Sequence, residues 1–159
     1  MGYSDYIVNS TGAPPPKLKA PSQADQKQMS AVAGRVKKIW AGVRTLNDWF
    51  DSNEPAVPKE QAESRASVCA VCPKNGQGDF SRWFTKPAAE IISRQLSKLN
   101  ERKLSTSQDA KLNVCEACLC PLKLKVHTPM KFIKPHISEA VMVDLKAAPD
   151  CWIVKEMAG

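Results

Sequence analysis

The chain has 159 residues, of which 43% are hydrophobic but only 6% aromatic, with twelve prolines, six cysteines and a net charge of +7. That length suits one domain, or one small domain with appendages. No charge-free apolar run reaches membrane-spanning length and the first residues lack the basic and apolar regions of a signal peptide. The expectation is therefore an intracellular, cytoplasmic protein of a reducing compartment, without a membrane anchor.

Residues 1–21 read as an extended arm, because Pro14, Pro15, Pro16 and Pro21 favour polyproline II geometry and little patterned apolar content accompanies them. Ser22 and Asp25 have the spacing of a capping box, and a long amphipathic helix is expected over 22–53. Val32, Val36, Ile39, Val43, Leu46 and Phe50 recur on it at alternating steps of four and three, with Trp40 and Trp49 beside them. A seam under three heptads long packs more readily on the protein's own core than in a coiled coil, while docking on a protein partner through residues 1–50 stays open.

A zinc-stapled domain is expected over 59–159. A short helix from Lys59 leads through Arg65 to Cys69, and the loop Lys74–Asp79 has two glycines but no phosphate-binding pattern. Pro87 opens a helical insertion, about 82–103. On it Ile92, Leu96 and Leu99 face inward, while Arg94, Lys98 and Arg102 form a basic stripe whose plainer reading is a solvated face. Leu122–Val126 alternates strictly, which predicts a half-buried strand with Lys123 and Lys125 outward. Thr128-Pro129 and Lys134-Pro135 break regular structure, and Ser138 caps a last helix to about Lys146. The tail then brings Cys151 back beside Trp152 as an apolar anchor.

Cys69-x2-Cys72 and Cys115-x2-Cys118 are the strongest chemical signal in the chain. The spacing lets a tight turn aim two thiolates and several N–H groups at one metal ion, and two such turns complete a tetrahedral site. Cys69, Cys72, Cys115 and Cys118 are the first choice of ligands; Cys120 and Cys151 are candidates to displace one of them. With His127 and His136 there are eight potential ligands, so the expected cofactor is one or two Zn2+. Cys120, His127, His136 and Cys151 are a candidate second set; six thiolates sharing two zincs, or an iron–sulfur cluster, are alternatives. The plainer reading makes Cys120 and Cys151 buried apolar residues and the histidines surface or turn residues. The fold class expected is mainly α with a small zinc-centred ribbon or knuckle, a small α+β arrangement with an extended N-terminal arm. Structural zinc contributes roughly 10–16 kcal/mol in small peptides, so metal loss should unfold at least the cysteine-bearing half.

The pattern R-x3-C-x2-C-P, then C-x2-C-x-C-P-L-x-x-K, then C-x-W resembles a loosely defined group of small cysteine-rich proteins encoded by bacteriophages and bacteria. It is carried here by Arg65, Cys69, Cys72, Pro73, Cys115, Cys118, Cys120, Pro121, Leu122, Lys125, Cys151 and Trp152. The chain departs from it at Leu119, where that group often has Gly, and at the last cysteine, which there often precedes Pro. The resemblance implies zinc and a phage origin, and no defined activity.

Enzyme readings find no support: H-E-x-x-H, G-x-S-x-G, a Walker A motif and the deaminase zinc motif are all missing, and a zinc closed by four thiolates keeps no position for water. The reading that follows is a non-enzymatic, zinc-stabilised structural or interaction protein, a minor component or adaptor of a phage particle, with no small-molecule substrate. The alternative is a zinc-dependent nucleic-acid-binding regulator. Eleven basic residues stand against four acidic ones from Ser81 to Ile137, and Arg94, Lys98, Arg102, Lys123 and Lys125 would form its face, with Trp83, Phe84 and Phe132 near Arg82, Lys86, Lys131 and Lys134. A bland account of the same charge is that lysines offset metal-bound thiolates. An electron-transfer or thiol-redox protein is the third possibility.

Overall fold

Ser22 begins the first helix by exchanging hydrogen bonds with Asp25. The Asp25 N–H donates to the Ser22 hydroxyl at 3.2 Å, and the Asp25 carboxylate accepts from the Ser22 N–H at 3.0 Å, as the capping-box spacing predicts. Helix α1 spans Gln23–Ser52 and stops at Asn53, whose φ of 56° is the left-handed conformation that Asn tolerates at a helix end. This computed structural model describes residues 20, 22–76 and 83–159. The expected arm, apart from Ala20, lies outside the described residues, as do Gly78 and Arg82.

The chain divides into two compact units, Met1–Val32 and Ala33–Gly159. In the first, Met29 and Val32 are 64% and 62% exposed. In the second, Ile39, Val43, Leu46, Trp49 and Phe50 of α1 are buried in a core shared with α3, Lys86–Glu101, through Ala88, Ile92 and Leu99. The C-terminal half of the seam thus packs on the protein's own core. The boundary between the two units falls inside α1. Gln95, buried on α3, donates to the Asn47 side chain at 2.7 Å and to the Val43 carbonyl at 3.3 Å, tying the two helices together.

The second core cluster surrounds the cysteines. Helix α2, Lys59–Ala70, packs through Ala66 and Cys69 against Leu122, Val126, Leu145, Trp152 and Ile153. The predicted strand at Leu122–Val126 is instead a helical turn, α4, Leu122–Lys125. Pro121 presets it: its carbonyl accepts the N–H groups of Leu124 and Lys125 at 3.2 and 3.1 Å, and Val126 then donates to Leu122. Five alternating residues are too few to separate a strand from a turn enclosed by core. Lys125 points inward and is 4% exposed, against expectation. The two proline dipeptides do not simply interrupt structure, because Pro129 precedes α5, Met130–Ile133, and Pro135 lies in a 3-10 turn, Lys134–His136.

Ser138 caps α6, Glu139–Lys146, by accepting the Val141 N–H at 3.3 Å. The tail is not only an anchor but a further helix, α7, Trp152–Ala158. It is fastened by Arg65, which donates from Nε and Nη2 to the Glu156 carboxylate at 2.8 and 2.5 Å and from Nη1 to the carbonyls of Thr128 and Val126 at 2.8 and 3.2 Å. The Arg65 guanidinium also stacks 4.1 Å from the Trp152 ring. Among the described residues the protein is mainly helical and has no sheet, its β pairing being confined to the isolated bridges Asn75–Cys115 and Val114–Pro121. No helix among them is long and apolar enough to cross a membrane.

Candidate metal centre

The two C-x2-C turns meet in space. Cys69 occupies the last turn of α2, after which Cys72 donates to the Cys69 carbonyl at 3.2 Å and the Lys74 N–H points at the Cys72 sulfur at 3.4 Å. The second turn closes when Cys115 donates to the Cys120 carbonyl at 3.0 Å and Leu119 to the Cys115 carbonyl at 2.7 Å. Gly76 donates to Val114 and Glu116 to Lys74, both at 2.7 Å, which stitches one turn to the other. Asn75 adds its side chain, donating to the Lys111 carbonyl at 2.7 Å and accepting the Asn113 N–H at 3.1 Å. Gly76 is required by this approach: a Cβ there would lie 2.7 Å from the Trp83 ring and 2.9 Å from the Val114 oxygen.

Leu119, the position where the resembled proteins often carry Gly, has φ 55°. The turn keeps the backbone conformation that glycine adopts without cost, and the leucine side chain is buried in the α1–α3 core.

Cys69, Cys72, Cys115 and Cys151 line one small cavity of about 20 Å3, together with Leu122, Leu145, Ala148, Trp152 and Ile153. The Trp152 indole N–H donates to the Cys69 sulfur at 3.2 Å. Cys118 and Cys120 line a neighbouring cleft of about 730 Å3 between α1 and the segment from Ile133 to Val141, while the Cys118 side chain stays hydrogen-bonded to Cys115. Lys125 borders both spaces, and its ammonium lies 2.7 Å from the Cys118 sulfur.

Burial pushes the Cys69 thiol up to about 12, against the pull of the indole N–H. Cys115 is raised by its hydrogen bond with Cys118 and by burial. Cys118 is pulled down by the hydrogen bond with Cys115, but the one with Cys120 and burial outweigh it and leave the thiol at about 11. Cys120 is lowered to about 7 by its hydrogen bond with Cys118. Burial pulls the Lys125 pKa down; the sulfurs of Cys118, Cys120 and Cys115 more than reverse this and raise it. A cationic Lys125 therefore needs thiolate charge around it, since no carboxylate among the described residues takes that place.

Among the described residues no three Cys, His, Asp or Glu side chains are grouped as a bound ion requires. The donor chemistry nonetheless fits a thiophilic ion: soft sulfurs from α2, two turns and the start of α7 converge with N–H donors and one countercharge.

The candidate second set is not gathered. Cys120 lies on the open cleft and Cys151 on the small cavity, while the His136 ring meets Asp48 at 3.1 Å. His127 lies in the turn after α4, one of its two expected places, but is not on the surface: it is 3% exposed, and its Nε2 has no hydrogen-bond partner among the described residues. Burial lowers its pKa, and the charges facing it are Asp109, Glu63 and Arg65.

The basic stripe is exposed, but Lys98 lies 5.3 Å over the Phe50 ring and Arg102 4.9 Å over the same ring and 5.5 Å over Trp49. Arg94 and Lys123 face solvent. Lys125 does not belong to a nucleic-acid face, because its charge is enclosed with the sulfurs. Of the aromatic residues grouped with them, Phe84 is buried and Trp83 and Phe132 are half-buried. The sequence reading offered lysines as countercharge to metal-bound thiolates but placed Lys125 outward, although the residue stands in the L-x-x-K pattern seven positions after Cys118. No family model, curated protein or solved structure matches this chain.

Proposed function

We propose that this chain is a non-enzymatic interaction protein whose fold is stapled by thiolate-bound metal, one or two Zn2+, in a zinc-centred knuckle. The observation that carries the reading is Lys125: a buried ammonium against the Cys118 sulfur, amid thiols that converge from distant parts of the chain. Cys69, Cys72 and Cys115 would hold the ion, with Cys118 or Cys151 as the fourth ligand. Zinc would supply a tetrahedral crosslink, and four thiolates around it leave a charge of −2 that the ammonium partly offsets. Trp152 and the Lys74 N–H would orient the sulfurs of Cys69 and Cys72.

The finer reading, a component or adaptor of a phage particle, rests on the resemblance of the cysteine pattern. The nucleic-acid alternative is weakened by the enclosure of Lys125 and by the seating of Lys98 and Arg102 on aromatic rings. The test is elemental analysis with X-ray absorption on native protein, followed by chelation. One or two zincs per chain in sulfur coordination, lost in Cys69→Ser and retained in His136→Ala, is the expected result. Iron with inorganic sulfide, or fully oxidised cysteines, would overturn it.

A further inference from the structure

We propose that the 730 Å3 cleft beside the metal centre is a docking groove for an acidic, amphipathic peptide segment of a partner protein. One wall is a face of α1 that includes Gly34, beside which a Cβ would meet open space, and half-buried Ala41; the other runs from Ile133 to Val141. Two ion pairs join the walls, Lys38 to Asp144 and Asp48 to His136, both at 3.1 Å. Their α1 residues stand ten positions apart, or about 15 Å along the helix. A slot of that length takes a few turns of helix or several extended residues, more than a single small anion would fill.

Charge selects the occupant's sign. The charged side chains lining the cleft are Lys37, Lys38, Arg44 and Lys125, with His136 beside them, and no carboxylate is among them. Lys38 is engaged by Asp144, His136 by Asp48 and Lys125 by the Cys118 sulfur. Lys37 and Arg44 are exposed and form no ion pair or hydrogen bond among the described residues. Seven positions apart on one helix, they lie about 10 Å from each other along the axis, two turns on the same side. An occupant with acidic residues at a similar interval meets both.

The floor selects its class. Half-buried Trp40 and Ile137, backed by the buried Leu46, Ile133 and Val141, offer an apolar surface that receives the apolar face of a peptide. Basic charge on the rim and apolar side chains on the floor therefore describe an acidic, amphipathic segment as the occupant. This deepens the interaction-protein reading and rests on it.

The test uses the full, metal-loaded chain and a displayed random library of peptides about twelve residues long. The expected enrichment combines Asp or Glu with Leu, Ile or Phe. A synthetic enriched peptide should lose at least about tenfold in affinity to the Lys37→Glu, Arg44→Glu double variant. It should lose as much to Ala140→Trp, which fills the groove from an exposed wall position, and should be unaffected by Lys155→Glu on α7.

Basic or unpatterned peptides, binding that survives both cleft variants, or no enrichment each overturn the inference. So does salt-sensitive binding of a single-stranded oligonucleotide that the same variants abolish. Metal content measured on the same sample separates the two readings. A zinc-loaded chain that selects no peptide ends this inference and leaves the staple; a folded, metal-free chain that selects acidic peptides does the reverse.

Discussion

The ammonium of Lys125 lies 2.7 Å from the sulfur of Cys118, in an enclosure where no carboxylate among the described residues meets it. With Cys118 held as a metal-bound thiolate the two form a buried charge pair, and removing one member of such a pair costs on the order of 3–5 kcal/mol, because the other is left uncompensated. Lys125→Met should therefore weaken zinc retention against a competing chelator and lower the melting temperature by several degrees. Lys125→Arg retains charge and should fall between. Unchanged zinc retention in Lys125→Met would show that the cluster does not depend on the countercharge.

Leu119 carries two opposing contributions. Its left-handed backbone costs a non-glycine residue roughly 1–2 kcal/mol, while truncating a buried leucine costs about 2–5 kcal/mol. Since the side chain is buried against the α1–α3 core, the second contribution wins. Leu119→Gly should destabilise by about 1–3 kcal/mol in denaturant unfolding without loss of bound metal. A stabilised variant would mean that backbone strain outweighs the packing.

What could be read from the chain follows the length of the pattern and whether its partners are local. Ser22 with Asp25, Ser138 before α6 and the long seam of α1 were legible because caps and extended apolar periods depend on neighbours in sequence. Leu122–Val126 misled because its alternation is short and both sides of the turn are enclosed. The convergence of the two C-x2-C turns was expected from ligand spacing, whereas the place of Cys151 in the small cavity depends on α7 being held by Arg65 and Glu156, ninety-one residues apart. Lys125 was placed outward by that same alternation, and nothing local singles it out from the other lysines as the one set against a sulfur. The burial of His127 was equally invisible, since the groups around it come from α2 and from Asp109.

His127 predicts a pH dependence with a definite sign. Burial lowers its folded pKa below the ordinary value of about 6.5, so the unfolded chain takes up the proton first as pH falls. The neutral ring's contribution is intact above the unfolded value, declines as pH drops below it, and is lost once the folded pKa is passed. Wild type should lose stability across that window, and His127→Phe should flatten this part of the profile. Because zinc release also responds to acid, both proteins are to be compared with metal content measured at each pH. An identical slope in the variant would assign the effect to other groups.

The unit boundary inside α1 distinguishes two truncations. A chain starting at Ala33 retains Ile39, Val43, Leu46, Trp49 and Phe50, whereas one starting at Lys59 removes all five from the face of α3. Burial of such side chains is worth about 1.5–3 kcal/mol each, so the shorter fragment loses on the order of 10 kcal/mol. That is comparable with the whole net stability of a domain, about 5–15 kcal/mol. Gln95 would also lose its acceptors, the Val43 carbonyl and the Asn47 side chain, and become an unsatisfied amide on a newly exposed apolar face. The 33–159 fragment should give a cooperative thermal transition and dispersed amide resonances with zinc bound. The 59–159 fragment, expected from sequence alone to fold independently, should aggregate or lack a cooperative transition even with zinc in excess. A cooperative 59–159 fragment would show that the metal centre organises the C-terminal half without α1.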